Sequence, residues 1–280
     1  MRKVSRKSML CPNCRRIISV DEARCPHCGM SAPGSRWKNN PFTRGWAEDD
    51  RLIRAIIFTN IAMFVFSLII SRGDLASGIN PLRMLAPSRH SFDLLGATGT
   101  WMIRKIGWWT LVSANYLHAG LLHIFFNMMA FYQIAPLTTR IFGVYRFFTI
   151  YTLSGVGGFL VSCLMGTPIT VGASAALCGL IGAAIYYGKS RGGIFGESIY
   201  RQIGGWAIGI ILFGFFIPQI NNAAHIGGMI CGALTAMLLG YTERSRETMA
   251  HRSLAALCML MTLLILLLAL YRGLRYGLLA

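Results

Sequence analysis

Charged residues are scarce in this 280-residue chain, which carries only ten acidic side chains. Charged residues make up 13% of the sequence and hydrophobic residues 54%, whereas a soluble domain keeps about a quarter of its residues charged. The few charges lie in clusters between long apolar runs. This pattern excludes an ordinary soluble domain and predicts an all-α polytopic membrane protein.

Acidic residues are absent from all seven apolar runs. The runs cover 52–70, 119–137, 145–165, 172–188, 204–218, 222–241 and 251–271. Most approach the roughly 20 residues that a helical span requires, although the fifth is short. A transporter or channel ordinarily needs ionisable groups along its pathway, so the lack of carboxylates disfavours that class of function. It also excludes a catalytic triad that has an acid inside the membrane.

Basic residues are distributed unequally between the loops, and this predicts an orientation. The short loops 166–171 and 219–221 contain no charge. The loops that alternate with them carry Arg140, Arg146, Lys189, Arg191, Arg201, Arg244, Arg246 and Arg252. The positive-inside rule then places the N-terminus in the cytoplasm and the C-terminus outside. Since topology explains the net charge of +17, no nucleic-acid partner is expected. No apolar signal segment follows the basic N-terminus, so we expect no cleavable leader and a bacterial-type plasma membrane.

Four of the eight cysteines form two close pairs, Cys11-Pro-Asn-Cys14 and Cys25-Pro-His-Cys28. Two such pairs can gather four thiolates around a tetrahedral zinc ion, and a site with four Cys ligands is closed and structural. His27 is a possible alternative ligand, and a redox CxxC lacks its usual βαβ context here. The spacing predicts a zinc-ribbon-like module over 1–30, followed by a linker over 31–51. It does not identify the partner of this module.

Polar residues inside the apolar runs lie near the start of alternate runs. The second run carries His123 and Asn127, the fourth begins with Gly172-Ala173-Ser174, and the sixth carries His225. Alternate spans run in the same direction, so helical rise places these groups at similar depth. Polar groups are expensive to place in a membrane and are functional candidates there. The sequence therefore predicts one polar site built from three helices.

Small residues recur at every fourth position of the fourth and sixth runs. They are Ser174, Cys178 and Gly182 in the fourth, and Ala224, Gly228, Gly232 and Ala236 in the sixth. Such faces let helices approach closely in lipid, which would bring Ser174 within hydrogen-bond reach of His225. An imidazole beside a hydroxyl is the minimum for nucleophilic catalysis, so this pair is a candidate dyad. His123, Asn127 and the Ser174 backbone N–H are candidate donors to an oxyanion.

Two other interpretations of these residues stay open at this point. A serine among small residues often serves only helix packing. The histidines and the asparagine could instead form an intramembrane metal site, although no carboxylate accompanies them. The residues of that alternative are His118, His123, His225 and Asn127.

Three motifs together resemble the rhomboid family of intramembrane serine proteases. They are the segment from Tyr116 to Asn127, Gly172-Ala173-Ser174-Ala175, and Ala224-His225-Ile226-Gly227-Gly228. The resemblance covers about 50–245 and implies a six-helix bundle over 52–245, with an extra C-terminal transmembrane helix in 246–280. It implies that Ser174 is the nucleophile and His225 the general base. It also implies an oxyanion hole with His123 and Asn127, supported by His118 and Gly172, and no catalytic cofactor.

The resemblance implies peptide-bond hydrolysis within the lipid bilayer. The expected substrates are the transmembrane segments of single-span or polytopic membrane proteins. The alternative is a noncatalytic rhomboid-like protein that binds membrane helices and is regulated by its zinc module.

The chain departs from the family pattern at three positions. Trp109-Thr110 replaces a frequent Trp-Arg pair, so the role of that arginine is absent or falls to Arg104 or Lys105. Ala175 replaces a glycine after the serine, which is a small change. Cys178 replaces an aromatic residue that stacks on the base in relatives, which leaves the orientation of His225 less constrained.

Overall fold

The computed structural model describes residues 8–11, 16–30, 33–34, 50–71, 84–217 and 219–278. The chain divides into two compact units, Met1–Arg51 and Leu52–Ala280.

The small unit contains an antiparallel hairpin of two short strands. Strand β1 (Ser8–Leu10) pairs with β2 (Ile17–Ser19), with Met9 opposite Ile18. Side chains alternate across a strand, and this central pair lies on the face that packs against Cys11, Cys25 and Met30. The hairpin therefore places two of the cysteines in a small buried cluster.

Among its described residues, the large unit is all-α and has seven long helices. They are α1 (Asp50–Ile70), α5 (Leu121–Phe142), α6 (Val144–Leu164), α7 (Ser174–Arg191), α8 (Gly193–Phe216), α9 (Asn222–Leu239) and α10 (Met249–Gly273). Between the first two long helices, the described residues 84–120 form three short ones: α2 (Arg89–Leu95), α3 (Thr100–Ile106) and α4 (Thr110–Ser113). A 3₁₀ turn (Ala114–Tyr116) follows α4, and a π turn (Leu274–Leu278) extends α10. This arrangement confirms the predicted all-α polytopic class.

Among the described residues, six helices are long and apolar enough to cross a membrane: α1, α5, α6, α8, α9 and α10. Helix α7 differs because it is rich in glycine and alanine and ends with Lys189 and Arg191. Its residues from Ala175 to Ala184 are all buried by neighbouring helices. A helix enclosed by protein needs no lipid-soluble surface, so its composition suits its central position.

Helix α8 begins earlier than the sequence indicated. The predicted run started at residue 204, whereas the helix starts at Gly193. The extra turns contain Glu197 and Arg201, which looked like loop residues but form an ion pair four positions apart, with 2.7 Å between Oε1 and Nε. The fifth span is therefore not short.

Small residues allow α7 and α9 to pack with their backbones in contact. A methyl group on Gly228 would overlap the carbonyl oxygen of Ala175, and one on Gly232 would overlap that of Gly179. The same close packing joins α6 to both helices, since a methyl on Gly158 would lie 2.6 Å from the carbonyl oxygen of Ala224. The predicted contact between these two small-residue faces is present.

Helix α10 is fixed to the bundle by a fully buried arginine. Arg146, near the start of α6, donates to the Ser245 carbonyl at 3.0 Å, the Ser245 hydroxyl at 2.9 Å and the Arg246 carbonyl at 3.0 Å. The Glu247 carboxylate accepts from the backbone N–H groups of Tyr145 and Arg146, both at 2.9 Å. These contacts hold the connection between α9 and α10 against the first turn of α6.

Candidate active site

Ser174 is the first residue of α7, and the backbone just before it is held in a conformation that favours glycine. Gly172 has a φ of +129°, and its N–H donates to the carbonyl of Ala114 at 2.9 Å. A methyl group at Gly172 would lie 2.7 Å from Nε2 of His123 and 3.7 Å from Oγ of Ser174. Gly172 therefore marks the point where the α7 start and the imidazole of α5 meet.

The loop before Ser174, residues 166–173, is paired with the segment that follows α2. Thr98 and Thr170 exchange two backbone hydrogen bonds, with N···O distances of 3.1 and 2.6 Å. The N–H of Thr100 donates to the carbonyl of Thr167 at 2.9 Å. The hydroxyl of Thr110, in α4, donates to that of Thr98 at 3.1 Å. The loop 166–173, named the nucleophile loop after the predicted role of Ser174, is thus fastened to the segments around Thr98 and Thr110.

His225 lies in the first turn of α9 and is 7% exposed. Its ring is not hydrogen-bonded to the Ser174 hydroxyl in the part of the chain that the structure describes, and its Nδ1 is buried without a partner. The two helices nevertheless touch nearby, because Gly228 packs on the Ala175 carbonyl. Catalytic hydrogen bonds are often long before substrate binds, so the lack of a Ser174–His225 hydrogen bond here is compatible with a dyad.

Asn221 links both halves of the candidate dyad and was missed by the sequence analysis. Its Oδ1 caps α9 by accepting from the Ala224 N–H at 3.0 Å. Its amide donates to the hydroxyl of Ser162 at 2.6 Å and to that of Thr170 at 3.1 Å. An asparagine just before a helix is a cap signal that the sequence does contain. The two donations join distant segments and could not be inferred from it.

His123 is oriented by its own backbone neighbourhood. Its Nδ1 accepts from the Ala119 N–H at 3.2 Å, so in the neutral ring the proton is on Nε2, the atom that faces Gly172. Asn127 lies one turn further on and donates to the His123 carbonyl at 2.8 Å. The imidazole therefore presents an N–H donor towards the start of α7.

His118 stands beside His123, with ring centroids 5.2 Å apart in an edge-to-face arrangement. It is fully buried, and neither ring nitrogen has a hydrogen-bond partner among the residues described. Burial, and secondarily the neighbouring His123, lowers the pKa of His118 well below its ordinary value. The ring is therefore neutral at physiological pH.

The positions that depart from the family pattern have defined contacts. Thr110 is buried and bonds to Thr98 and to the Gly107 carbonyl. Lys105 pairs with Asp93 at 3.1 Å, and Arg272 of α10 lies over the Trp109 ring, 5.5 Å from its centroid. Cys178 is buried inside α7.

Three cysteines of the small unit form a cluster that could bind a metal ion. The sulfurs of Cys11, Cys25 and Cys28 lie within 4.8 Å of one another. The backbone N–H of Cys11 donates to the Arg16 carbonyl and that of Cys25 to the Met30 carbonyl, both at 2.8 Å, and Gly29 has a φ of +74°. Cys14 lies outside the described residues. Soft sulfur ligands at this spacing fit a metal such as zinc.

The candidate metal ligands of the bundle behave differently. Within the described ranges, the cysteine cluster is the only group of three or more close His, Cys, Asp or Glu ligands. His118, His123 and His225 do not form such a group, which disfavours an intramembrane metal site. His27 is not in the cysteine cluster either, and its Nδ1 lies 3.4 Å from the guanidinium of Arg16.

Comparisons with known proteins agree with this geometry. A rhomboid domain model matches residues 105–242, which include all the candidate residues of the bundle. The rhomboid protease GluP of Bacillus subtilis is 30% identical over 197 residues, covering 69% of this chain and 38% of GluP. RHOMBOID-like protein 5 of Arabidopsis thaliana is 33% identical over 162 residues, covering 56% of this chain and 52% of that protein. The rhomboid-family protein YdcA of Bacillus subtilis is 33% identical over 147 residues, covering 50% of this chain and 71% of YdcA.

The chain belongs to the rhomboid family. It is a multi-pass membrane protein of a family that includes named intramembrane proteases. The chain spans 38% of GluP and about half the length of the Arabidopsis relative.

Proposed function

We propose that this protein is an intramembrane serine endopeptidase that cleaves transmembrane segments through a Ser174–His225 dyad. One observation carries the proposal most directly. Nε2 of His123 and Oγ of Ser174 both face the same point beside Gly172, at 2.7 and 3.7 Å. A substrate carbonyl group near that point would have its oxygen beside a hydrogen-bond donor and its carbon beside a nucleophile.

The mechanism uses the residues that surround this point. His225 takes the proton from the Ser174 hydroxyl as Oγ attacks the scissile carbonyl carbon. Developing negative charge on the carbonyl oxygen is stabilised by Nε2–H of His123, the Asn127 amide and the Ser174 N–H. His225 then gives its proton to the leaving amine. Water, with His225 again as base, releases the acyl group and restores Ser174.

The second hydrogen of the Asn127 amide is available for this role, because among the residues described the amide donates a single bond, to the His123 carbonyl. His118 supports the adjacent imidazole by edge-to-face contact. The helix that carries His225 contains no carboxylate to orient the imidazole, so the close packing of α7 and α9 around Gly228 orients it. Catalysis needs no cofactor.

The expected substrates are single-span or polytopic membrane proteins in the lipid bilayer. A helical segment shields its peptide bonds by backbone hydrogen bonding and must unwind locally before Ser174 can attack. A small side chain at the cleavage position is expected from the family resemblance.

We also propose that 52–245 forms the catalytic bundle and 246–280 an added helix and tail. Residues 1–30 form a zinc-ribbon-like module in which Cys11, Cys14, Cys25 and Cys28 hold a structural zinc ion, with a linker over 31–51. Three of the four sulfurs lie close enough to share one ion. The zinc would cross-link the strand and turn segments of this unit and take no part in hydrolysis.

The proposed orientation has the N-terminus in the cytoplasm and the C-terminus outside, in a plasma membrane. It rests on the basic loops and the uncharged loops 166–171 and 219–221. The end of the bundle that carries Ser174 then faces outward.

Reconstituted wild type and Ser174→Ala should be compared for cleavage of single-span substrates with small residues near the outer end of the span. We expect cleavage by the wild type and none by Ser174→Ala at equal folding. Ser198→Ala, an exposed serine of α8, is the matched control and should retain wild-type activity.

The missing hydrogen bond between Ser174 and His225 favours one competing candidate, a noncatalytic binder of membrane helices. Helix binding with no turnover in the wild type would favour that candidate, whereas undiminished cleavage by Ser174→Ala would refute the role of Ser174 as the nucleophile.

A further inference from the structure

The C-terminal end of α10 contacts the short helices next to the candidate active site. The guanidinium of Arg272 lies over the ring of Trp109, 5.5 Å from its centroid, and Nε donates to the Leu94 carbonyl at the end of α2, at 3.2 Å. A cation within about 6 Å of an indole face is attracted by the ring quadrupole. Arg272 therefore joins the seventh long helix to both α2 and the start of α4.

The backbone of α10 also approaches this region closely. A methyl on Gly273 would lie 2.6 Å from Ile70 and 3.1 Å from Leu95. A methyl on Gly277 would lie 3.2 Å from Leu94. Arg272 thus acts from a helix end that is fixed against α1 and α2.

Trp109 is connected to the nucleophile loop by a short series of bonds. It precedes α4, which continues into the 3₁₀ turn at Ala114, and the carbonyl of Ala114 accepts from the N–H of Gly172 at 2.9 Å. The next residue, Thr110, bonds to Thr98, which is paired with Thr170 in the same loop. A displacement of Trp109 would therefore move two anchors of the backbone that carries Ser174.

We propose that Arg272 is a positioning residue for the nucleophile loop, so that α10 is a working part of the active site. Arg272 fixes Trp109 and α4, and α4 fixes Gly172 through Ala114. The activity consequence rests on the proposed function, whereas the mechanical link does not. The planar guanidinium both covers the ring and reaches the Leu94 carbonyl, so lysine should replace it only in part.

Activity is the first readout. Arg272→Leu should lower kcat for a transmembrane substrate about tenfold with KM nearly unchanged, because small displacements of reacting groups slow chemistry more than binding. Arg272→Lys should recover part of the loss. Arg275→Leu is the matched control, because Arg275 is exposed and contacts the ring of the adjacent Tyr276, at 5.7 Å. It should behave as wild type.

Amide hydrogen exchange is the second readout and needs no turnover. Exchange at Gly172, followed in peptides covering 167–175 in nanodiscs, should be about tenfold faster in Arg272→Leu than in wild type or Arg275→Leu. Trp109→Leu should speed exchange at Gly172 to the same degree. Trp109→Phe, which keeps an aromatic face for Arg272, should speed it less than Trp109→Leu does. If Arg272→Leu does not fold, Trp109→Leu serves for both readouts.

Unchanged exchange at Gly172 would overturn the proposal, whatever the activity. Faster exchange with an unchanged kcat would overturn the positioning role. An inactive wild type whose exchange still depends on Arg272 would refute the proposed protease function and leave the link from α10 to the nucleophile loop standing.

Discussion

Replacing Asn221 with alanine removes three hydrogen bonds at the junction of α9, α6 and the nucleophile loop. The lost partners are the Ala224 N–H and the hydroxyls of Ser162 and Thr170. Loss of a helix N-cap costs about 1 kcal/mol. Each lost side-chain hydrogen bond costs about 0.6 to 1 kcal/mol in a membrane-protein interior. Asn221→Ala should therefore lower the free energy of unfolding by about 2 to 3 kcal/mol and slow cleavage.

Asn221→Ser separates the two effects, because its hydroxyl keeps the cap acceptor but the shorter side chain has no amide to donate to Ser162 and Thr170. It should recover roughly 1 kcal/mol of the loss while remaining as slow in catalysis as the alanine variant. Unfolding by increasing SDS fraction in mixed micelles measures the stabilities, and single-turnover cleavage measures the rates. An alanine variant within about 0.5 kcal/mol of wild type, as for an ordinary surface change, would refute the reasoning.

Three further predictions concern other parts of the molecule. Gly172→Ala should abolish activity, because Gly172 has a φ of +129° and the added methyl would crowd Nε2 of His123. Gly166→Ala is the control for backbone strain alone and should stay active, because Gly166 has a φ of +84° and open space around it. Equal activity of the two variants would contradict this account. Cys25→Ser should lower the zinc content below the expected value of about one ion per chain, as measured by inductively coupled plasma mass spectrometry. An unchanged zinc content would show that Cys25 is not a ligand. The free energy of unfolding should fall between pH 7 and 5, by at most about 1.4 kcal/mol per pH unit for one group. The reason is that His118 in the unfolded chain gains a proton near its ordinary pKa, whereas the buried ring, with its lowered pKa, stays neutral. His118→Gln should flatten this dependence on pH, and an unchanged slope would contradict the assignment to His118.

The sequence predicted the parts of the site that depend on helical periodicity and span direction. His123, Ser174 and His225 fall at the start of alternate helices, and Gly228 marks where α9 meets α7. These relations need only a helix count and a face of small residues, which a single sequence contains. The fold class followed from the same information.

The side-chain hydrogen bonds that position the site could not be predicted, because they join segments far apart in the chain. Asn221 bonds across 59 residues to Ser162, and Arg272 bonds across 178 residues to Leu94. Nothing in the sequence around Trp109 indicates that Arg272, in the last turn of α10, lies over its ring. The hydrophobic pattern also placed the start of α8 too late, because the first turns of this helix carry an ion pair and are not apolar.

The most direct test of the central claim is covalent labelling of Ser174. Wild type in nanodiscs should be treated with a fluorophosphonate, and the modified residue identified by peptide mass spectrometry. The account predicts one adduct, on Ser174, whose formation is lost in His225→Ala although the variant remains folded. Labelling elsewhere, or equal labelling of Ser174 without His225, would contradict the dyad.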